Sequence, residues 1–149
     1  MEPGEEVTLN PQPLPPRTIW LTALVAIVMS AILSAWGTFS GEEDSGFGDY
    51  WPVLLIIGVL AAIVYLWAVP RAARGAWSMA KTGLVLSILG LLTVIAFWSG
   101  APPIFAFAGI LLGYYGRRGT ESGLATAALV LGVLALAADV AIYIGDQAS

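Results

Sequence analysis

Five apolar stretches, joined by short segments that hold most of the charged residues, constrain what this 149-residue chain can fold into. The stretches cover residues 18–39, 52–69, 78–98, 102–115 and 123–144. A helix needs about 20 apolar residues to cross the hydrocarbon core of a bilayer. A backbone inside that core must satisfy its own hydrogen bonds, as a helix does. We therefore expect an all-α integral membrane protein with five transmembrane helices.

The positions of the basic residues predict the orientation of these helices. If the stretches run back and forth from a cytoplasmic N-terminus, all six Lys and Arg residues fall on the cytoplasmic side. They are Arg17, Arg71, Arg74, Lys81, Arg117 and Arg118. The external side receives Glu42, Glu43, Asp44, Asp49 and Asp146. This distribution obeys the positive-inside rule, so we expect a cytoplasmic N-terminus and an external C-terminus.

The basic residues also have an expected role at the lipid headgroups. An Arg or Lys near an anionic membrane surface contributes about 1 kcal/mol to binding. Arg71 and Arg74 lie in a loop flanked by Trp67 and Trp77, which suits a phosphate-bearing headgroup. Generic anchoring of the topology and a dedicated lipid pocket both explain this loop. In either case the expected partner is a bilayer that contains anionic lipids.

Tryptophan residues mark the ends of the first three stretches. The indole ring prefers the headgroup level, where its body is apolar and its N–H group stays hydrated. The pairs are Trp20 with Trp36, Trp51 with Trp67, and Trp77 with Trp98. This placement by depth favours a membrane over a soluble core.

Composition excludes most soluble functions. Charged residues make up 11% of the chain and hydrophobic residues 58%, whereas a soluble domain averages about 25% charged. The absence of cysteine and histidine removes disulfides, thiol chemistry and the commonest ligands of zinc and haem. A net charge of −4 argues against nucleic-acid binding. We therefore predict no catalytic, metal-binding or cofactor-binding residue, no enzyme activity and no nucleic-acid partner.

Three parts are predicted along the chain. Residues 1–17 form a disordered, Pro-rich cytoplasmic tail, residues 18–69 a two-helix transmembrane hairpin with an acidic external loop, and residues 78–145 a three-helix Gly-rich bundle. The tail favours polyproline II and acts either as a stiff spacer or as a ligand for an aromatic groove. The loop carboxylates either stay solvated or hold Ca²⁺, although their spacing does not match an EF-hand.

Two stretches admit another interpretation. The first follows an acidic flank and exceeds a typical signal-peptide core, so we expect a retained helix rather than a cleaved signal. The fourth is shorter than a usual span, but Pro102 and Pro103 suit a helix start. A re-entrant loop there would leave Arg117 and Arg118 outside, against the charge rule. Glu121 is expected to form a surface ion pair with these two arginines.

Small residues at four-residue spacing occur on each of the last three stretches. In lipid, helices associate through van der Waals contact over such residues, so the spacing predicts close packing. The pairs are Gly83 with Ser87, Gly109 with Gly113, and Ala128 with Gly132. We expect a tight three-helix bundle with Gly109 and Gly113 at its centre.

The same region resembles a known family. The segments that carry the resemblance are GLVLSILG at 83–90, GILLG at 109–113, RRG at 117–119 and ALVLG at 128–132. Over residues 79–144 the chain resembles the bacterial membrane family named domain of unknown function 4190. The resemblance implies Gly-rich helices around a short basic turn and no catalytic residues. Ser87 stands where a glycine is expected, and two additional helices precede the matching region.

Asp139 is an acidic residue inside a predicted span. Burying its charge costs about 2.5 kcal/mol or more, which marks such a residue as a functional candidate. Tyr143, four positions later, is placed to hydrogen-bond it. A structural or snorkelling acid near the external interface and a role in transport or partner contact both remain open. Isolated hydroxyls are expected to bond to backbone carbonyls or to neighbouring helices; they belong to Ser30, Ser34, Ser87, Thr93 and Ser99.

These observations predict location better than function. The leading hypothesis is a non-enzymatic accessory, assembly or scaffold subunit of a larger complex in the plasma membrane of a bacterium, with other membrane subunits as partners. It depends on the Gly and Ala faces and on the lack of reactive side chains. The alternative is a small ion or solute transporter or channel that acts as an oligomer through Asp139.

Overall fold

The computed structural model describes residues 14–39, 47–75, 77–99 and 101–148. Within these residues the chain is helical apart from short turns, so the predicted all-α fold class is confirmed for them. The α-helices are α1 (Pro16–Phe39), α2 (Phe47–Ala62), α3 (Val69–Ala73), α4 (Met79–Thr93), α5 (Ala101–Gly116) and α6 (Ser122–Ala148). Ile63–Ala68 form a π-helical segment between α2 and α3, and Val94–Ser99 form a 3₁₀ helix after α4. The predicted tail up to residue 13 and the acidic loop at 40–46 lie outside the described residues.

Four helical runs in the described part of the chain are long and apolar enough to span a membrane. They are Pro16–Trp36, Tyr50–Ala73, Met79–Ala96 and Ser122–Asp146, and α5 is a shorter apolar helix. Large apolar side chains cover the outside of these runs, and Val59 and Leu92 are 58% and 60% exposed. Soluble monomers rarely leave apolar surface of this extent open. The described residues therefore have the character of a membrane-embedded helical protein.

The short helix α5 lies at the centre of the bundle and contacts α1, α2, α4 and α6. Its 16 residues reach about 24 Å, which is less than the roughly 30 Å of a hydrocarbon core. Ile104, Gly109 and Leu112 on this helix are buried, so protein rather than lipid surrounds it. A helix enclosed by other helices need not match the bilayer thickness, which explains how a short helix fits here.

Helices α4, α5 and α6 pack most closely against one another, and α1 and α2 pack against this group through α5. The buried apolar cluster includes Ala26 of α1, Ile57 of α2, Leu86 of α4 and Ile104 of α5. Residues from the predicted hairpin and from the predicted three-helix bundle thus share one core.

Two irregular helical segments were not predicted from the sequence. The π-helical segment Ile63–Ala68 widens the helix between α2 and α3, and Tyr65 within it is buried. The 3₁₀ segment Val94–Ser99 contains a non-helical residue, Ala96, with φ −105° and ψ 47°. In addition, α2 begins at Phe47, so Pro52 lies inside the helix rather than at the start that the apolar pattern predicted.

The alternating direction of the helices brings the basic residues to one end of the bundle, which we name the basic end. This end holds the start of α1, the turn between α3 and α4, and the turn between α5 and α6. Contacts join these segments: Ser78 hydrogen-bonds Glu121, and Trp20 and Arg74 line one cavity. The opposite end holds the start of α2 and the end of α6.

Candidate functional site around Asp139

The small residues of the last three helices lie where the backbones approach most closely. A Cβ atom added to Gly109 would collide with the Ser87 side chain and lie 2.9 Å from the Ser87 nitrogen. A Cβ on Gly113 would lie 2.8 Å from the carbonyl oxygen of Ala125, and one on Gly132 would lie 3.0 Å from that of Ala106. Real Cβ atoms essentially never lie within 3.0 Å of backbone atoms, so Gly109 and Gly113 require glycine. An alanine at position 132 would instead require Ala106 and the Ile110 side chain to shift.

Ser87 has a further role that the sequence did not reveal. Its buried hydroxyl donates a 2.6 Å hydrogen bond to the carbonyl oxygen of Ala128. The side chain therefore occupies the space that Gly109 leaves open and joins α4 to α6. Gly83, one turn earlier on α4, faces α5, because a Cβ there would lie 3.1 Å from the Gly113 nitrogen.

Asp139 lies on α6 in the half of the helix that is far from the basic end. Its side chain has no exposed surface. Neither carboxylate oxygen has a hydrogen-bond partner among the described residues. A snorkelling side chain would keep its charged group in contact with water, and the complete enclosure of Asp139 does not fit that interpretation.

Side chains with hydroxyl groups from α1, α2 and α6 lie near the buried carboxyl group of Asp139. Tyr143, one turn beyond Asp139, interacts electrostatically with Asp139 and with Tyr50, and its hydroxyl bonds with Ser34 of α1. Tyr50, at the start of α2, donates its own hydroxyl to the carbonyl oxygen of Ala31. We name Ser34, Tyr50, Asp139 and Tyr143 the Asp139 cluster, and all four are buried. Ser30, one turn along α1, is also buried, and its hydroxyl has no partner among the described residues.

The energetics of this cluster differ from those of a structural ion pair. A buried charge without a partner costs several kcal/mol, because the interior replaces none of the lost hydration. The described basic residues all lie at the other end of the bundle, so none of them compensates the carboxylate. The carboxyl group in this enclosure therefore needs a proton or a cation to neutralise it.

Among the described residues of α1 and the helices that face it, the polar lining does not continue toward the basic end. Beyond Ser30 the buried residues of α1 are Ala26, Ala23 and Ile19, and the facing helices contribute Val64 and other apolar residues. Tyr65 donates its hydroxyl to the carbonyl oxygen of Ile104 at 3.0 Å. In this conformation an apolar layer separates the Asp139 cluster from the basic end.

At the basic end, aromatic rings hold one of the predicted anchors. The Arg71 guanidinium lies 4.7 Å from the Trp67 ring centroid and 5.6 Å from that of Trp77. The two rings meet edge to face with centroids 5.1 Å apart. Cation–π contact of this kind fixes the position of the guanidinium. Trp67 and Trp77, both predicted as interfacial residues, thus lie at one level of the bundle.

Glu121 has different partners from those predicted. Its carboxylate lies 3.4 Å from the Lys81 ammonium and accepts a hydrogen bond from Ser78. The Ser78 bond, and after it Lys81, holds the pKa of Glu121 below its usual value. The prediction of a pair with Arg117 or Arg118 was wrong, because folding brings the start of α4 beside the turn before α6.

Other predicted residues have local roles. Thr93 donates its hydroxyl to the carbonyl oxygens of Leu89 and Gly90 on its own helix. In the described residues, no group of three or more Asp, Glu, His or Cys side chains is placed to hold a metal ion.

Sequence reasoning identified Asp139 and Tyr143 but missed the rest of the cluster. The available signal was the spacing of Ser30 and Ser34, which puts two hydroxyls on one face of α1 near the end that receives Asp139. Nothing in the sequence pairs that face with Tyr50.

The chain has no detectable match to a family model, to a curated protein or to a solved structure. Its resemblance to domain of unknown function 4190 therefore stays a prediction.

Proposed function

We propose that the chain is a small, non-enzymatic membrane protein that binds and releases a proton at Asp139, as the ion-handling part of a transporter. The observation that carries this proposal is the full burial of a carboxyl group without a hydrogen-bond partner among the described residues. An intramembrane acid of this kind is costly to keep for stability alone. The cost of burying the charged form, several kcal/mol, is avoided whenever the carboxyl group holds a proton, as it would in part of a proton-transfer cycle.

The neighbours of Asp139 favour a proton over a metal cation. A divalent cation such as Ca²⁺ takes six to eight oxygen ligands. Asp139 contributes one carboxylate, and the hydroxyls of Tyr143 and Ser34 add only a few oxygens. A proton needs a single carboxylate oxygen, and hydroxyl groups beside it act as donors and acceptors along which it moves.

The proposed orientation places the Asp139 cluster on the external side of a bacterial plasma membrane. It takes α5 as a fifth, centrally enclosed span, so that the N-terminus and all six basic residues face the cytoplasm. The position of the basic residues at one end of the bundle supports this orientation.

The enclosed carboxyl group corresponds, in this proposal, to an occluded state. Exchange with either side of the membrane then requires the helices to shift. Pro52 in α2 and the 3₁₀ segment Val94–Ser99 interrupt regular helix at the end that holds the cluster. Such interruptions are common sites of helix bending. We propose that movement there opens the Asp139 cluster.

Proton flux into liposomes tests transport. The purified protein is reconstituted with a trapped pH-sensitive dye, and a pH gradient is imposed together with a membrane potential. We expect flux above that of protein-free liposomes, and Asp139→Asn is expected to reduce it to that background. Asp146→Asn is the matched control, because Asp146 is an exposed acid on the same helix. Equal flux through wild type and Asp139→Asn would overturn the proposal.

Infrared difference spectroscopy tests proton binding separately from transport. A pH step applied to the reconstituted protein should change the band of a protonated carboxyl group in an apolar environment. Asp139→Asn is expected to remove that band, whereas Asp146→Asn should retain it. A wild-type protein without such a band would show that Asp139 does not exchange its proton, and the proposal would fail.

The accessory-subunit hypothesis stays a prediction from the sequence. Its grounds are the small soluble mass, the lack of reactive side chains, and a set of small-residue faces suited to helix packing. Gly83, Gly109, Gly113 and Gly132 instead contact helices of the same chain, so they no longer argue for a partner. Purification in mild detergent followed by mass spectrometry tests the hypothesis, and repeated recovery of the chain alone would contradict it.

A further inference from the structure

We infer that a cavity at the basic end binds one anionic phospholipid from the adjoining leaflet. The cavity has a volume of about 430 Å³ and lies between the start of α1 and the π-helical segment with α3. Its lining includes Ile19, Trp20, Tyr65, Leu66 and Arg74. This inference does not depend on the proton-binding proposal, since the two sites lie at opposite ends of the bundle.

The cavity lining is basic at the headgroup level and apolar deeper in the bundle, as a phospholipid is charged at its headgroup and apolar along its chains. Arg74 lies at the turn after α3, at the level where headgroups are expected. Ile19, Tyr65 and Leu66 are on the apolar spans themselves and lie deeper. Arg74 follows the end of α3, whereas Tyr65 lies about two turns earlier in the span, so the basic side chain is the one nearer the headgroup level.

The cavity is continuous with the lipid-facing surface. Trp20 is 63% exposed and Leu66 is 58% exposed, and both border the cavity. An apolar surface at this depth faces acyl chains rather than water. A lipid chain can therefore enter sideways between these two side chains without leaving the bilayer.

Charge determines which lipid fits. Arg74 is exposed, and no acidic side chain is among the described residues that line the cavity. A guanidinium group binds the oxygens of a phosphate with two parallel hydrogen bonds. Arg71 lies one turn earlier but is held between Trp67 and Trp77, which leaves Arg74 as the basic side chain that lines this cavity.

The floor of the cavity is fixed in place by the irregular helix. Tyr65 belongs to the π-helical segment and donates its hydroxyl to the carbonyl oxygen of Ile104 on the central helix α5. The wider π-helical turn thus keeps one side chain in the core while its neighbour Leu66 faces lipid. Segments of this kind occur frequently at functional sites.

Native mass spectrometry of the full chain tests the inference. The protein is reconstituted into equimolar phosphatidylglycerol and phosphatidylcholine, extracted in mild detergent, and its retained lipids are counted. We expect one phosphatidylglycerol per chain, and Arg74→Gln should reduce its retention about tenfold or more, since a hydrogen bond between charged groups contributes about 1.5 kcal/mol or more. Arg118→Gln is the matched control: Arg118 is an exposed arginine at the same end, outside the cavity lining. Its retention should equal that of wild type.

Three outcomes would overturn the inference. An equal loss in Arg74→Gln and Arg118→Gln would show general attraction to the surface rather than a site. Equal retention of both lipids by wild type would remove the role of charge. If phosphatidylglycerol were retained only after residues 1–13 had been deleted, the N-terminal segment before Leu14, and not a lipid, would be the occupant of the cavity.

Discussion

At the scale of single residues, the environment of a side chain decides its role more than its type does. Asp139 and Asp146 lie on the same helix, yet the first has no exposed surface and the second is exposed. Hydration stabilises an exposed carboxylate, whereas an enclosed one carries the full cost of desolvation. We therefore propose proton binding for Asp139 and not for Asp146, although both residues have the same functional group.

Glycine at position 109 is expected to be essential for the packing of α4 against α5. Gly109→Ala places a Cβ 2.9 Å from the Ser87 nitrogen and 3.0 Å from the Gly83 carbonyl oxygen. Backbone atoms cannot move aside cheaply, so we expect a loss of about 1–3 kcal/mol of unfolding free energy. Unfolding in mixed detergent micelles, followed by circular dichroism, measures it.

Gly58→Ala provides the control for that substitution. Gly58 is also a helical glycine, on α2, but nothing lies within 4 Å of an added Cβ there. Alanine has the higher helix propensity, by about 0.8–1.0 kcal/mol in helix interiors, so Gly58→Ala should leave stability unchanged or raise it. If both substitutions lowered the unfolding free energy equally, the close backbone contact at Gly109 would not be the reason that position 109 requires glycine.

At the scale of helices, the sequence predicted where the apolar helices lie but not their irregular parts. The periodic glycines of α4, α5 and α6 are a local signal, because each pair marks one helix face. The π-helical turn around Tyr65 has no such signal, and the Tyr65 hydroxyl bonds to Ile104, which belongs to another helix. The Asp139 cluster was predicted in part for the same reason: Asp139 and Tyr143 are neighbours on one helix, whereas Ser34 and Tyr50 come from others.

The start of α4 and the turn before α6 should be linked in a pH-dependent way. Ser78 is the N-cap of α4, with a 3.4 Å contact from the Lys81 N–H, and it also donates to Glu121. The hydrogen bond and Lys81 lower the pKa of Glu121 from its ordinary value of 4.5. The ionised group is therefore favoured by folding, and its stabilising effect is complete above that value.

Comparison of wild type with Glu121→Gln measures this link. At neutral pH wild type should be the more stable protein, by a small amount, because the pair is solvent-accessible. The difference should disappear as the pH falls below 4.5 and the carboxylate takes up a proton. A stability difference that persists or grows in acid would contradict the assignment. Ser78→Thr keeps a hydroxyl and should behave like wild type at every pH.

At the scale of the whole molecule, the two ends of the bundle differ in chemistry. The basic end carries Arg71 between two tryptophans, Arg74 at a cavity and the Lys81–Glu121 pair. The opposite end carries the Asp139 cluster, and an apolar layer with the central helix α5 lies between them. This polarity is what a membrane protein needs in order to insert in one direction. The proposed lipid site and the proposed proton site can therefore be tested by separate substitutions.

Cysteine labelling of intact cells should show which end faces the cytoplasm. The chain contains no cysteine, so single-cysteine variants react without background. Gly48, Gly123 and Gly145 each have open space around an added Cβ, so cysteine should be accommodated there. A membrane-impermeant maleimide is expected to label Gly48→Cys and Gly145→Cys in intact cells, and Gly123→Cys only after the cells are opened.

The pattern of labelling also counts the spans between these positions. Gly48 and Gly145 lie at the end opposite to the basic end, and Gly123 lies at the start of α6. If α5 did not cross the membrane, Gly123 would share a side with the residues before α5, and Gly123→Cys would react in intact cells. Labelling of Gly123→Cys alone would instead reverse the whole orientation, and the Asp139 cluster would then exchange protons with the cytoplasm.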